Sequence, residues 1–117
     1  MNNIKTRHQS KSFTIPVSGE LTLAINLWPG KVVAAAIEIV GDYPDQLVNA
    51  SVRDNGNRIE DPTSIQNWEQ RSGGNYLQSL KPLSIEGGQQ IKFDFTSSGN
   101  LAAELKGQVI LVIQQNC

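Results

Sequence analysis

Apolar and polar residues alternate with a period of two through most of this chain, and this pattern constrains its fold more than any other feature. The first run contains Phe13, Ile15 and Val17. Later runs lie at 21–27, 48–52, 91–95 and 109–113. Successive side chains of a strand point to opposite faces of a sheet, so such runs are typical of half-buried β-strands.

Turn signals separate the alternating runs. Trp28-Pro29-Gly30-Lys31 predicts a type II turn, because proline fixes φ at the second position and glycine accepts positive φ at the third. Asn55-Gly56 predicts a two-residue hairpin turn between 48–54 and 57–61. Further glycine-rich turns fall at 73–74, 87–88 and 98–100. The spacing predicts an all-β, single-domain, two-sheet β-sandwich of about eight or nine strands, with jelly-roll or Greek-key connections.

The first twelve residues differ from the rest in composition. Lys5, Arg7 and Lys11 lie there, while Met1 and Ile4 are the only apolar members. This predicts a flexible basic N-terminal arm over 1–12, followed by the sandwich domain over 13–117. The three cations predict contact with a neighbouring subunit or a weak, salt-sensitive contact with nucleic-acid phosphates. An ordinary solvated terminus is the alternative.

Two segments, 31–40 and 108–114, are apolar on both faces of the predicted strand. Strands of this kind are usually covered on both sides. Either the chain's own segment 62–82 covers the second face, or another subunit does. The residues predicted for a subunit interface are Val32, Ala34, Ala36, Ile110 and Val112.

The sequence offers no grouping of residues suited to catalysis. His8 is the only histidine and Cys117 the only cysteine, which argues against Ser-His-Asp or Cys-His chemistry and against an internal disulfide. Asp54 and its neighbours lack the spacing of a calcium loop. We therefore expect a non-enzymatic protein with no catalytic residue, no cofactor and no bound metal.

The sequence contains neither a signal-peptide pattern nor a long apolar run, and both absences bear on its predicted location. No apolar core of a signal peptide follows the N-terminal basic residues, and no apolar run approaches 18 residues. A net charge of −1 gives no whole-protein attraction to nucleic acid or membrane. These features predict a cytoplasmic location unless the protein belongs to an assembled particle.

Four aromatic residues near predicted turns suggest a second function. Trp28, Tyr43, Trp68 and Tyr76 are placed where rings in a β-sandwich stack on sugars. Packing at the rim of the sandwich is the alternative role. A carbohydrate-binding or adhesive module is thus the second hypothesis.

The C-terminal segment PLSIEGGQQIKFDFTSSGNLAAELKGQVILVIQ, residues 82–114, resembles the closing segments of small jelly-roll virion proteins of bacteriophages. The shared pattern is a glycine-turned hairpin, a polar excursion and a last apolar strand. The resemblance implies a homo-oligomeric capsid, vertex or decoration subunit located in the virion. Its partners would be copies of itself and other assembly subunits, and it carries over no catalytic residue.

Overall fold

The computed structural model describes residues 4–41, 44, 46–54, 57–69 and 81–116. These residues form eight β-strands and one 3₁₀ turn, Ile65–Trp68. The strands are β1 (Ile4–Ile15), β2 (Glu20–Asn26), β3 (Lys31–Ile39), β4 (Val48–Asp54), β5 (Asn57–Ser64), β6 (Lys81–Glu86), β7 (Gln90–Ser97) and β8 (Leu105–Asn116). In the described part of the chain no helix is long and apolar enough to cross a membrane.

The strands form two four-stranded sheets. Sheet I has the order β1-β8-β3-β6 and sheet II has the order β2-β7-β4-β5. All neighbouring strands are antiparallel. Successive strands mostly alternate between the sheets, and this double Greek-key order is that of a jelly roll. The predicted two-sheet β-sandwich is confirmed, and the strand order decides for the jelly roll.

The inward side chains of the two sheets form one core. Phe13 of sheet I stacks on Phe95 of sheet II with ring centroids 4.6 Å apart. Trp68, at the end of the 3₁₀ turn, meets Phe93 edge-on at 5.6 Å. Offset and edge-to-face contacts are the favourable geometries for aromatic pairs. Alternation along β2, β4, β6, β7 and β8 supplies most of the remaining core, as the period of two predicts.

The turn between β2 and β3 has the positive φ predicted for Gly30, at 127°. A Cβ on Gly30 would lie 2.6 Å from the carbonyl oxygen of Gln114, so the position also requires close packing. The Gly30 carbonyl accepts a 2.7 Å hydrogen bond from the Gly87 amide, which ties this turn to the one between β6 and β7.

The predicted hairpin of β4 and β5 is present as an antiparallel pair in which Asp54 lies opposite Asn57. The turn residues Asn55 and Gly56 lie outside the described residues. So does the part of segment 62–82 that runs from 70 to 80.

The structure differs from the predicted N-terminal arm. Residues 4–12 belong to β1, which pairs with β8 along its whole length, from Ile4 opposite Asn116 to Ile15 opposite Leu105. The prediction of a flexible segment was wrong for these residues, because backbone pairing with β8 orders a strand whose side chains have little apolar surface to bury. Residues 1–3 lie outside the described part.

A β-bulge in β3 corrects the face assigned to Val32. The register shifts between Val32 and Ala34, so that Val32 lies opposite Ile113 and Ala34 opposite Val112. A bulge adds one residue to one strand and changes which side chains point inward. Val32 therefore belongs to the main core with Ala35 and Ile37, not to the second face of the sheet.

Candidate functional site

Among the described residues, β1 is the terminal strand of sheet I, and it carries all three cations predicted for the arm. Lys5, Arg7 and Lys11 are exposed and occupy odd positions, as do the core residues Phe13 and Ile15. They consequently project from one face of β1, with neighbours two residues apart separated by about 6.6 Å. The structure thus brings these residues together as a row.

Arg7 of this row and Gln9, which lies on the same face of β1, connect β1 to the segment around Trp28. The Gln9 side chain donates from Nε2 to the Asn26 carbonyl at 2.7 Å and accepts at Oε1 from the Trp28 amide at 2.9 Å. The Arg7 guanidinium lies over the Trp28 ring, 4.4 Å from its centroid. Gln9 is buried, so its two bonds satisfy backbone groups where β2 ends. Nothing in the sequence pattern predicted this role of Gln9.

The structure describes two of the four aromatic residues predicted to stack on sugars, Trp28 and Trp68. Trp68 is 0% exposed, and its Nε1 donates to the Thr63 hydroxyl at 3.2 Å. A fully buried ring has no face for a ligand, so the stacking role predicted for Trp68 was wrong. Trp28 is half-buried and has Arg7 over its ring. Tyr43 and Tyr76 lie outside the described residues.

The second face of β3 and β8 is not the exposed apolar patch that the sequence predicted. Ala34, Ala36 and Val112 form a small cluster of their own and are only 0–2% exposed in a single chain. Ile110 keeps partial exposure. Surface that is already buried within one chain offers little to a neighbour, so self-association needs another surface.

Three exposed apolar side chains lie at one end of the sandwich. Val17, Val40 and Leu47 are 45%, 72% and 56% exposed and are the large exposed hydrophobics of the described chain. Val17 lies in the loop at 16–19, and Val40 and Leu47 lie in the loop at 40–47, of which residues 42, 43 and 45 are not described. Together with the loop at 98–104, these loops make up what we call the loop end. The ends of β1, β3 and β7 and the starts of β2, β4 and β8 all meet there.

Backbone hydrogen bonds connect the loops of the loop end. The Leu101 amide donates to the Val17 carbonyl at 2.7 Å, and the Ser98 amide donates to the Leu47 carbonyl at 2.8 Å. The Leu47 amide in turn donates to the Ser98 hydroxyl at 3.1 Å. These bonds hold Val17 and Leu47 in place while their side chains remain in water.

The outer face of sheet II carries a polar cluster centred on Asp94. Arg53 donates to Asp94 through Nε at 2.6 Å, and Thr22 donates through its hydroxyl at 2.9 Å. Burial alone raises the pKa of Asp94. The hydrogen bonds from Arg53 and Thr22 and the charges of Arg53 and Arg58 outweigh burial, so the pKa of Asp94 lies below its usual value of 3.8. The arrangement stabilises a charged carboxylate. Asp94 of β7 forms a structural ion pair with Arg53 of β4 and accepts a hydrogen bond from Thr22 of β2.

Titratable side chains are not grouped as a metal site in the described part of the chain. No cluster of three histidine, cysteine, aspartate or glutamate residues there is placed to hold a metal ion. His8 lies exposed on β1, opposite Val112 of β8.

The chain is similar in structure to a known protein. No protein-family model matches the chain, and no curated protein matches it. Among solved structures, it is similar to a chain titled "Cyanophage Pam1 capsid asymmetric unit". The two share 19% sequence identity over 97% of this chain and 85% of the other, with a TM-score of 0.45.

Proposed function

We propose that this protein is a non-enzymatic structural subunit of a virion, and that it assembles with copies of itself and with other subunits. The observation that carries the proposal is the strand order, β1-β8-β3-β6 packed on β2-β7-β4-β5. Jelly rolls of this kind recur in viral capsid proteins and also in lectins. Because one fold serves several functions, the choice between them rests on surfaces.

The surfaces favour assembly over sugar binding. A sugar platform needs aromatic faces open to solvent, whereas Trp68 is buried and Trp28 lies beneath Arg7. Assembly needs apolar contact area and open sheet edges. The loop end supplies exposed apolar side chains, and β1 supplies an edge of twelve residues. The resemblance of residues 82–114 to phage virion proteins supports the same role.

The loop end is the surface that we propose for contact between copies. Val17 and Leu47 are presented on loops that both hydrogen-bond to the loop at 98–104, and the Val40 amide donates to the Lys106 carbonyl near the start of β8. Grouped apolar side chains in water favour association, since burying them gains about 25 cal/mol per Å² before association costs.

Light scattering coupled to size-exclusion chromatography tests the proposal, with electron microscopy of the same fractions. One chain has a mass of 12.8 kDa. We expect a discrete multiple of that mass at micromolar concentration and particles of uniform shape. A single-chain mass at every concentration, with tight binding to a glycan in an array screen, would support the carbohydrate-binding module instead.

A further inference from the structure

We propose that the open edge of β1 binds an extended acidic segment of a neighbouring subunit, which adds to sheet I as a fifth strand. The inference deepens the proposed function and rests on it only for the source of the segment. Addition of a strand to a sheet edge is a recurrent mode of peptide recognition, in which backbone hydrogen bonds supply affinity and alternate side chains supply specificity.

The edge strands of the sandwich differ in how well they are protected. A terminal strand presents unpaired N–H and C=O groups that attract other strands, and proteins often block such edges with proline. The edge strands β5 and β6 each contain a proline, Pro62 and Pro82. Strand β1 contains none and is the longest edge strand, with 12 residues against 7 in β2. It is therefore the edge best suited to accept another strand.

The exposed charges of β1 are all positive and lie on one face of the strand. Lys5, Arg7 and Lys11 are exposed on one face, and the other face presents uncharged polar residues such as Thr6 and Ser10. Cross-strand pairs of opposite charge stabilise a sheet, and like charges directly opposite each other destabilise it. The complementary strand thus carries acidic residues at alternate positions on one face and small polar residues on the other.

The same charges disfavour a second β1 as the occupant. In an antiparallel pair of two β1 strands centred on His8, Lys5 would lie opposite Lys11, and cations would face cations. Lysine on an edge strand is a known means of preventing such self-pairing. The row of cations thus selects against copies of β1 and selects for an acidic strand.

Strand β1 is already ordered in the single chain. Its pairing with β8 runs from Ile4 to Ile15, and Gln9 and Arg7 fasten it to the segment around Trp28. An edge that is already ordered loses little conformational entropy on binding. Nucleic acid would use the cations but not the row of backbone groups, so the edge favours a peptide.

Fluorescence anisotropy with two labelled nine-residue peptides tests the proposal on the full chain. The first peptide alternates threonine and glutamate. The second has the same composition, with its glutamates in one block. An added strand places alternate side chains on one face, so we expect the alternating peptide to bind about tenfold more tightly than the block peptide. Methylating one alternate set of its backbone amides should abolish binding, and methylating the other set should not.

Paired charge-reversal variants locate the binding site. The variant K5E/K11E should weaken binding of the alternating peptide about tenfold or more. The variant K31E/K92E makes the same change in net charge away from the β1 edge and should retain the wild-type affinity. Circular dichroism establishes that both variants are folded.

Three outcomes would overturn the proposal: equal binding of both peptides, binding of neither, or tighter binding of a 12-nucleotide single strand that K5E/K11E abolishes. The last outcome would indicate that the row of cations binds the phosphates of nucleic acid. An oligomeric mass in light scattering would still support the assembly role in each case, so failure of this inference is distinguishable from failure of the proposed function.

Discussion

Gln9 connects the two sheets at the point where the hydrophobic core gives way to a polar row. Its side chain bonds the Asn26 carbonyl and the Trp28 amide, while Lys5, Arg7 and Lys11 along the same face remain exposed. The sequence showed these residues only as a polar, basic stretch. A long-range bond from a side chain to the backbone leaves no periodic signal, so neither the role of Gln9 nor the Arg7–Trp28 contact was predictable. The composition of the chain did predict that the basic residues would be exposed.

Replacing Gln9 with alanine should lower the free energy of unfolding by about 1–3 kcal/mol, because two backbone groups lose their partner in a partly buried setting. Urea unfolding followed by circular dichroism measures the change. Ser10→Ala, at an exposed neighbouring position, is the control and should change stability by less than about 0.5 kcal/mol. Equal effects of the two substitutions would contradict the role assigned to Gln9.

Asp94 should make stability depend on pH. Its pKa is lowered in the folded protein, so its contribution is present above the unfolded value of 3.8 and is lost as pH falls through the still lower folded value. Asp94→Asn should therefore cost about 1 kcal/mol at pH 7 and progressively less as the pH falls below 3.8. Chemical unfolding of both proteins from pH 7 to pH 2 measures this. Glu104→Gln, at an exposed position, is the control, and a pH-independent cost of Asp94→Asn would contradict the assignment.

At the scale of elements, the strands with one apolar face were predicted well and the others were not. Strands β2, β4 and β7 follow the alternation closely, since one face of each lies on the core. Strand β1 extends beyond its apolar part, and its ordering depends on β8, whose paired residues lie 90 to 112 positions further along the chain. In β3, the bulge at Val33 inverts the alternation, so Val32 points into the core. Pairing partners and bulges are tertiary features that a local pattern does not encode.

Deleting residues 1–11 distinguishes a strand from an arm. The deletion removes most of β1, exposes the edge of β8 and removes the Gln9 bonds, so we expect a loss of several kcal/mol and a fall in Tm of about 10 °C or more. Differential scanning calorimetry measures the shift. Deletion of residues 1–3 is the control. An unchanged Tm after removal of residues 1–11 would support the flexible N-terminal arm predicted from the sequence.

At the scale of the whole molecule, the pattern of short runs and turns predicted a two-sheet sandwich, and the strand order specified the jelly roll. Alternation determines which residues face the core, but it does not determine which strands are neighbours. Three of the residues predicted for the interface, Ala34, Ala36 and Val112, are already buried within a single chain. The exposed apolar residues Val40 and Leu47 lie in loops, where periodicity gives no signal. Their grouping follows only from the way the loops meet at one end.

The molar mass of the wild type and of the variant V40K/L47K, measured by light scattering at matched concentrations, tests the central claim of assembly most directly. We predict a discrete oligomer for the wild type and a folded single chain for V40K/L47K, because lysines at the loop end replace apolar contact with like-charge repulsion. The control S84K/Q90K adds the same charge at exposed positions on β6 and β7, away from the loop end, and should remain oligomeric. A single-chain mass for the wild type at all concentrations, or an unchanged oligomer in V40K/L47K, would contradict the account.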